Sequence, residues 1–223
     1  MGKMIELTAS DGHKLAAYRA DPSSKPRGGI VVIQEVFGVN SHIKSVTDGF
    51  AAEGYLAIAP AMYDRVQRGY DTGYSQDEIQ AGLKIMQGLD WNNTMKDVIT
   101  ALEQAKSAGK VGLVGYCWGG TVAWVGAARV PGLAASVPYY GGGIPNFADE
   151  NPKCPVMFHF GEQDQSPTLE QAKQVAAKHP GATAHYYPGA GHGFNCDHRP
   201  SFNAAASKQA RERTLEFFRK HVG

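Results

Sequence analysis

The sequence predicts an α/β protein: a mostly parallel central sheet with helices on both faces and an antiparallel hairpin at its N-terminal end. Three observations carry this. Two β-like runs flank Asp11-Gly12, short apolar runs then recur along the chain, and amphipathic stretches of helical length separate most of them. Strands alternating with helices imply a parallel sheet covered on both faces.

The elements follow in order. ELTASDGHKLAAYRA (6–20) reads as the hairpin, with Asp-Gly at its turn. The runs GGIVVIQ (28–34), YLAIAP (55–60), KVGLVG (110–115), AASVPYY (134–140), PVMFHF (155–160) and AHYYP (184–188) read as strands. The stretches SHIKSVTDGFAAE (41–53), MKDVITALEQAKS (95–107), TVAWVGAARV (121–130), TLEQAKQVAAKH (168–179) and KQARERTLEFFRKHV (208–222) read as helices. In the last of these, Leu215, Phe218 and Val222 share one face, while Arg211, Arg213 and Lys220 reach solvent. Right-handed crossovers bring the loops after the strands to one edge of the sheet, where α/β proteins keep their sites.

At 223 residues the chain suits one α/β domain, expected over 1–223. A net charge of +1 with no lysine or arginine run argues against a nucleic-acid partner and against binding to a membrane surface. The apolar runs are far shorter than the roughly 18 residues of a membrane span. The opening MGKMIELTASDGHK has no long apolar segment, and the three cysteines are too few and odd in number for a disulfide framework. Both point to a cytoplasmic protein.

The chemistry follows the strands. QEVFG (34–38), GYCWGG (115–120), GEQDQ (161–165) and GAGHGF (189–194) each come directly after an apolar run. Cys117 stands between Gly115 and Gly119, where the glycines permit the sharp strand-to-helix turn of a nucleophile elbow. The order Cys117, Asp164, His192 matches the Ser, acid, His order of α/β-hydrolases, with cysteine in the serine's place. His192 is expected to take the thiol proton and Asp164 to hold the imidazole. Glutamine amidotransferases also use an elbow cysteine, but their histidine is followed two residues later by glutamate; here Phe194 stands there. Cys196-Asp197-His198 lacks a second ligand cluster at zinc spacing, so no metal is expected, and no cofactor.

With these motifs the sequence resembles the dienelactone hydrolases (carboxymethylenebutenolidases), which use a Cys-His-Asp triad on the α/β-hydrolase fold. The resemblance runs through most of the chain: QEVFG, APAMYDR (59–65), VGLVGYCWGG, the Asp164 loop, AGHGF and ERTLEFF (212–218). It implies that Glu35 activates the thiol and that the backbone N–H groups of Val36 and Trp118 form the oxyanion hole. Phe37 and Trp118 become candidate pocket walls, and Arg65 the anchor of a substrate carboxylate. A second carboxylate-binding arginine is expected four residues after the catalytic histidine, but this chain has Cys196 there; Arg199 could substitute if the loop bends.

The expected activity is opening of a small unsaturated lactone, most specifically dienelactone to maleylacetate. One alternative is a carboxylesterase or thioesterase acting on uncharged esters. A noncatalytic ligand-binding or redox-sensing module is the other. The residues do not decide between monomer and homodimer, and Trp91, Trp124 and Tyr139-Tyr140 read as packing.

Overall fold

The computed structural model describes residues 2–223. The hairpin forms as expected: β1 (Lys3–Thr8) pairs antiparallel with β2 (Lys14–Ala20), Lys3 opposite Arg19 and Thr8 opposite Lys14. The six later runs become β3 (Gly29–Ile33), β4 (Leu56–Pro60), β5 (Val111–Tyr116), β6 (Leu133–Tyr139), β7 (Met157–Gly161) and β8 (Thr183–Tyr187). The sheet order is β1-β2-β4-β3-β5-β6-β7-β8; β2 meets β4 antiparallel, and every pair from β4 to β8 is parallel.

Alternation along β3 explains how one apolar run serves two cores. Val31 and Ile33 face the layer that holds Val98, Leu102, Val122 and Trp124, on α3 (Trp91–Ala105) and α4 (Trp118–Arg129). Ile30 and Val32 face the opposite layer, with Ile43 and Phe50 of α1 (Ser41–Ala52) and Phe218 of α6 (Ala204–His221). Helix α1 starts where Asn40 accepts a bond from the Ile43 amide, a cap contributing about 1 kcal/mol. Helix α5 (Leu169–Lys178) starts with a reciprocal capping box of Thr168 and Gln171. Among the described residues no helix is long and apolar enough to cross a membrane.

Helix α2 (Gln76–Gln87) has no counterpart among the expected helices. It opens with a Ser75–Glu78 capping box but buries only Gly82 and Ile85, so its apolar face is too sparse to stand out by period.

Candidate active site

The ends of β3, β5, β7 and β8 bring Glu35, Cys117, Asp164 and His192 to one edge of the sheet. Cys117 sits between β5 and α4 with φ 56°, a left-handed conformation that costs a non-glycine residue about 1–3 kcal/mol. Its neighbours explain why the turn can close. A Cβ on Gly119 would meet the carbonyl oxygens of Ile33 and Gln34 at 2.5 Å, and one on Gly115 would meet the Gly119 carbonyl oxygen at 1.9 Å. Glycine is required at both positions by backbone approach.

His192 Nε2 lies 3.1 Å from Cys117 Sγ, and His192 Nδ1 lies 3.0 Å from Asp164 Oδ2. Nδ1 is also 3.0 Å from the Ser166 carbonyl oxygen, so both acceptors favour the Nδ1–H tautomer, which leaves Nε2 free to take the thiol proton. Asp164 is buried, and its Oδ1 accepts the Ser166 amide at 2.8 Å, which fixes the carboxylate plane. Burial works against a charged imidazole, yet Cys117 and Asp164 outweigh it and hold His192 well above the usual histidine range. The arrangement can form an imidazolium–thiolate pair at the N-terminal end of α4, where the helix dipole favours an anion.

A cavity of about 670 Å³ opens over Cys117 and His192. Leu83, Met86, Leu89, Trp91, Trp118 and Phe147 give it apolar walls, and Val36 lines it beside them. Val36 and Trp118 thus line the same space as the thiol, and neither backbone amide donates to a protein acceptor among the described residues. No lysine or arginine lines this cavity among the described residues.

Three expected substrate contacts lie outside the cavity lining. Arg65 does not reach the cavity: its Nε and Nη2 each donate to Asp97 at 2.7 Å, and Nη1 donates to Asp11 at 3.0 Å. The guanidinium fork is filled by protein carboxylates and has no free edge for a substrate's. Phe37 is not a cavity wall but core, packed edge-on to Tyr74 with ring centroids 4.6 Å apart. Arg199 does come back toward the site, but its Nη1 donates to Glu35 Oε1 at 3.2 Å and its head covers the Phe37 ring. It neutralises Glu35 and does not line the cavity. Glu35 itself is buried with Arg199 as partner, while the thiol's nearest partner is His192.

The sequence reading missed the walls supplied by α2 and the start of α3. Leu83 and Met86 lie three apart on α2, a spacing that was available as a signal. Trp91, expected only to pack, meets Phe147 at 4.8 Å between ring centroids and lines the cavity.

Residues 15–222 match the sequence profile of the Dienelactone hydrolase family. A carboxymethylenebutenolidase from Pseudomonas putida is 34% identical over 224 residues, covering 96% of this chain and 94% of the relative. A Klebsiella pneumoniae structure assigned as a dienelactone hydrolase superposes with a TM-score of 0.85 at 27% identity, covering 99% of this chain and 100% of that one. An esterase from Pyrococcus furiosus shares the fold, with a TM-score of 0.74 at 15% identity, covering 100% of this chain and 93% of the other.

Proposed function

The chain belongs to the dienelactone hydrolase family and is a hydrolase of esters or lactones, and we propose that it works as one domain through a Cys117–His192–Asp164 triad. The observation that supports this is the unbroken run of contacts from Asp164 Oδ2 through both ring nitrogens of His192 to Cys117 Sγ, at 3.0 and 3.1 Å, at the base of the cavity.

The thiol proton passes to His192 Nε2 as Sγ bonds to the substrate carbonyl carbon and the carbonyl electron pair moves to oxygen. The Val36 and Trp118 amides receive that oxyanion. Collapse breaks the carbon–oxygen ester bond. In that collapse His192 Nε2 passes its proton to the departing oxygen and becomes a free base again; with a lactone that oxygen is an enolate, a good leaving group that stays tethered to the acyl enzyme. Water, deprotonated by His192, then attacks the thioester and releases the acid. Asp164 holds the ring through Nδ1. Glu35 stands one step back: its Oε1 is held by Arg199 and the thiol's partner is His192 Nε2, so His192 is assigned the first proton transfer.

The family's eponymous substrate, dienelactone opened to maleylacetate, carries a carboxylate. An unpaired carboxylate in an apolar cavity costs several kcal/mol. The absence of a lysine or arginine among the described lining residues therefore favours the second reading, a carboxylesterase or thioesterase for uncharged esters. The test is kcat/KM for cis- and trans-dienelactone beside a neutral aryl acetate, with the native chain and with Cys117→Ala. The expected result is turnover of the neutral ester at least equal to that of either lactone, abolished by Cys117→Ala. A lactone preference of several orders of magnitude would restore the anionic substrate. Activity surviving Cys117→Ala would overturn the triad.

A further inference from the structure

Behind the wall of the active site, three side chains from separate parts of the chain converge. Glu35 follows β3, His42 lies in the first turn of α1, and Cys196 lies in the loop after His192. All three are buried, and one donor atom of each falls within 4.8 Å of the other two. Glu35 Oε2 and His42 Nε2 are both buried with no hydrogen-bond partner. Buried polar atoms are ordinarily satisfied, so two orphans facing one thiol call for an occupant.

We propose that Glu35, His42 and Cys196 form a binding site for a zinc-class divalent transition-metal ion. The donor chemistry selects the ion: a thiolate and an imidazole suit zinc or cobalt, whereas calcium and magnesium require mostly oxygen ligands. Zinc takes sulfur at about 2.3 Å and nitrogen or oxygen at about 2.0–2.2 Å, so closure of the present cluster requires only small side-chain movements. His42 is already oriented as a ligand. Its Nδ1 lies 3.0 Å from Asp197 Oδ1, which holds the Nδ1–H tautomer and leaves the Nε2 lone pair directed into the cluster. Glu35 Oε1 remains on Arg199 and offers only Oε2. Burial, and then the Glu35 charge, push the Cys196 thiol up to about 12, so binding releases its proton to solvent as the sulfur–metal bond forms. Thiolate, carboxylate, the Arg199 guanidinium and a dication sum to +1, which the Asp197 carboxylate on His42 Nδ1 offsets. Sequence spacing alone could not reveal this cluster, because Glu35 and His42 lie about 160 residues before Cys196.

The metal site does not rest on the function proposed above, in which His192 takes the thiol proton.

The test is an anaerobic cobalt(II) titration of the full chain carrying Cys117→Ser, which removes the other thiol–imidazole pair. One equivalent should produce an intense near-ultraviolet thiolate-to-cobalt band and the visible bands of a tetrahedral ion, both erased by one equivalent of zinc. Adding Cys196→Ser should abolish the near-ultraviolet band, with an unchanged far-ultraviolet circular dichroism spectrum. Asp197→Ala, at an exposed position, should weaken cobalt binding about ten-fold or more with the fold intact. Absence of the band in Cys117→Ser, or its survival in Cys117→Ser/Cys196→Ser, would overturn the site. Neither result depends on ester turnover.

Discussion

Arg65 is the residue whose role the structure changes most. Its fork closes on Asp97, which is 1% exposed, and the side-chain bonds to Asp97 hold the guanidinium even more firmly protonated than usual. Removing the arginine leaves a buried carboxylate uncompensated, a loss of about 3–5 kcal/mol. Arg65→Ala should therefore lower Tm by roughly 6–20 °C. The double change Arg65→Met/Asp97→Leu should recover most of that, because neither charge is then left unpaired. The folded Arg65→Ala protein should keep kcat/KM on a neutral ester within about threefold, since no atom of Arg65 borders the cavity. Thermal melts and ester assays on the three proteins check this. A large loss of activity at unchanged Tm would return Arg65 to substrate binding.

Helix α2 forms part of the cavity wall while burying little of itself, and one residue sets how closely it docks. A Cβ on Gly82 would lie 2.1 Å from the Val36 carbonyl oxygen, so glycine lets the helix rest directly on Val36, which lines the cavity together with Cys117. Gly82→Ala should push α2 and Val36 apart and reduce kcat/KM at least ten-fold, since small misplacements near the reacting atoms are costly. Tm should change by no more than a few degrees, because only Gly82 and Ile85 of this helix are buried. Unchanged kinetics would show that the wall tolerates displacement. This helix also marks where the sequence stopped being readable. All eight strands were legible because each is a compact apolar run or one arm of a hairpin turning at Asp-Gly. The order of Cys117, Asp164 and His192 was legible because strand ends converge in a parallel sheet. The destinations of Arg65, Phe37 and Arg199 were not, because a partner such as Asp97 or Glu35 is distant in sequence and nothing local names it. The walls from Leu83 and Met86 were lost for a related reason: a helix that covers a cavity leaves its apolar residues half-exposed.

At the scale of the whole molecule, the far side of the sheet is held together by a buried polar chain. His159 on β7 is fully buried, with Nδ1 2.7 Å from the Tyr187 hydroxyl of β8 and Nε2 3.0 Å from Thr214 Oγ1 of α6. Thr214 in turn meets the Tyr139 hydroxyl of β6 at 2.6 Å. Hydroxyls can donate or accept, so a neutral imidazole satisfies the chain, and burial holds His159 well below the ordinary histidine range, helped by His185 and Arg213. The sign for stability follows. Below about pH 6.5 the unfolded chain takes a proton at this residue that the folded chain refuses, so acid favours unfolding by up to about 1.4 kcal/mol per pH unit. His185, lowered by its burial, adds in the same direction. His192 is raised, so its contribution is complete below about pH 6.5 and is lost only as pH rises through its folded value. Urea unfolding at about pH 7 and about pH 5 should therefore show a decline, part of which belongs to His159. His159→Gln keeps a donor and an acceptor but cannot titrate; whatever it costs at neutral pH, its decline between the two pH values should be smaller by that part. Equal declines in the two proteins would mean that the acid sensitivity of this fold arises elsewhere than in the chain joining β6, β7, β8 and α6.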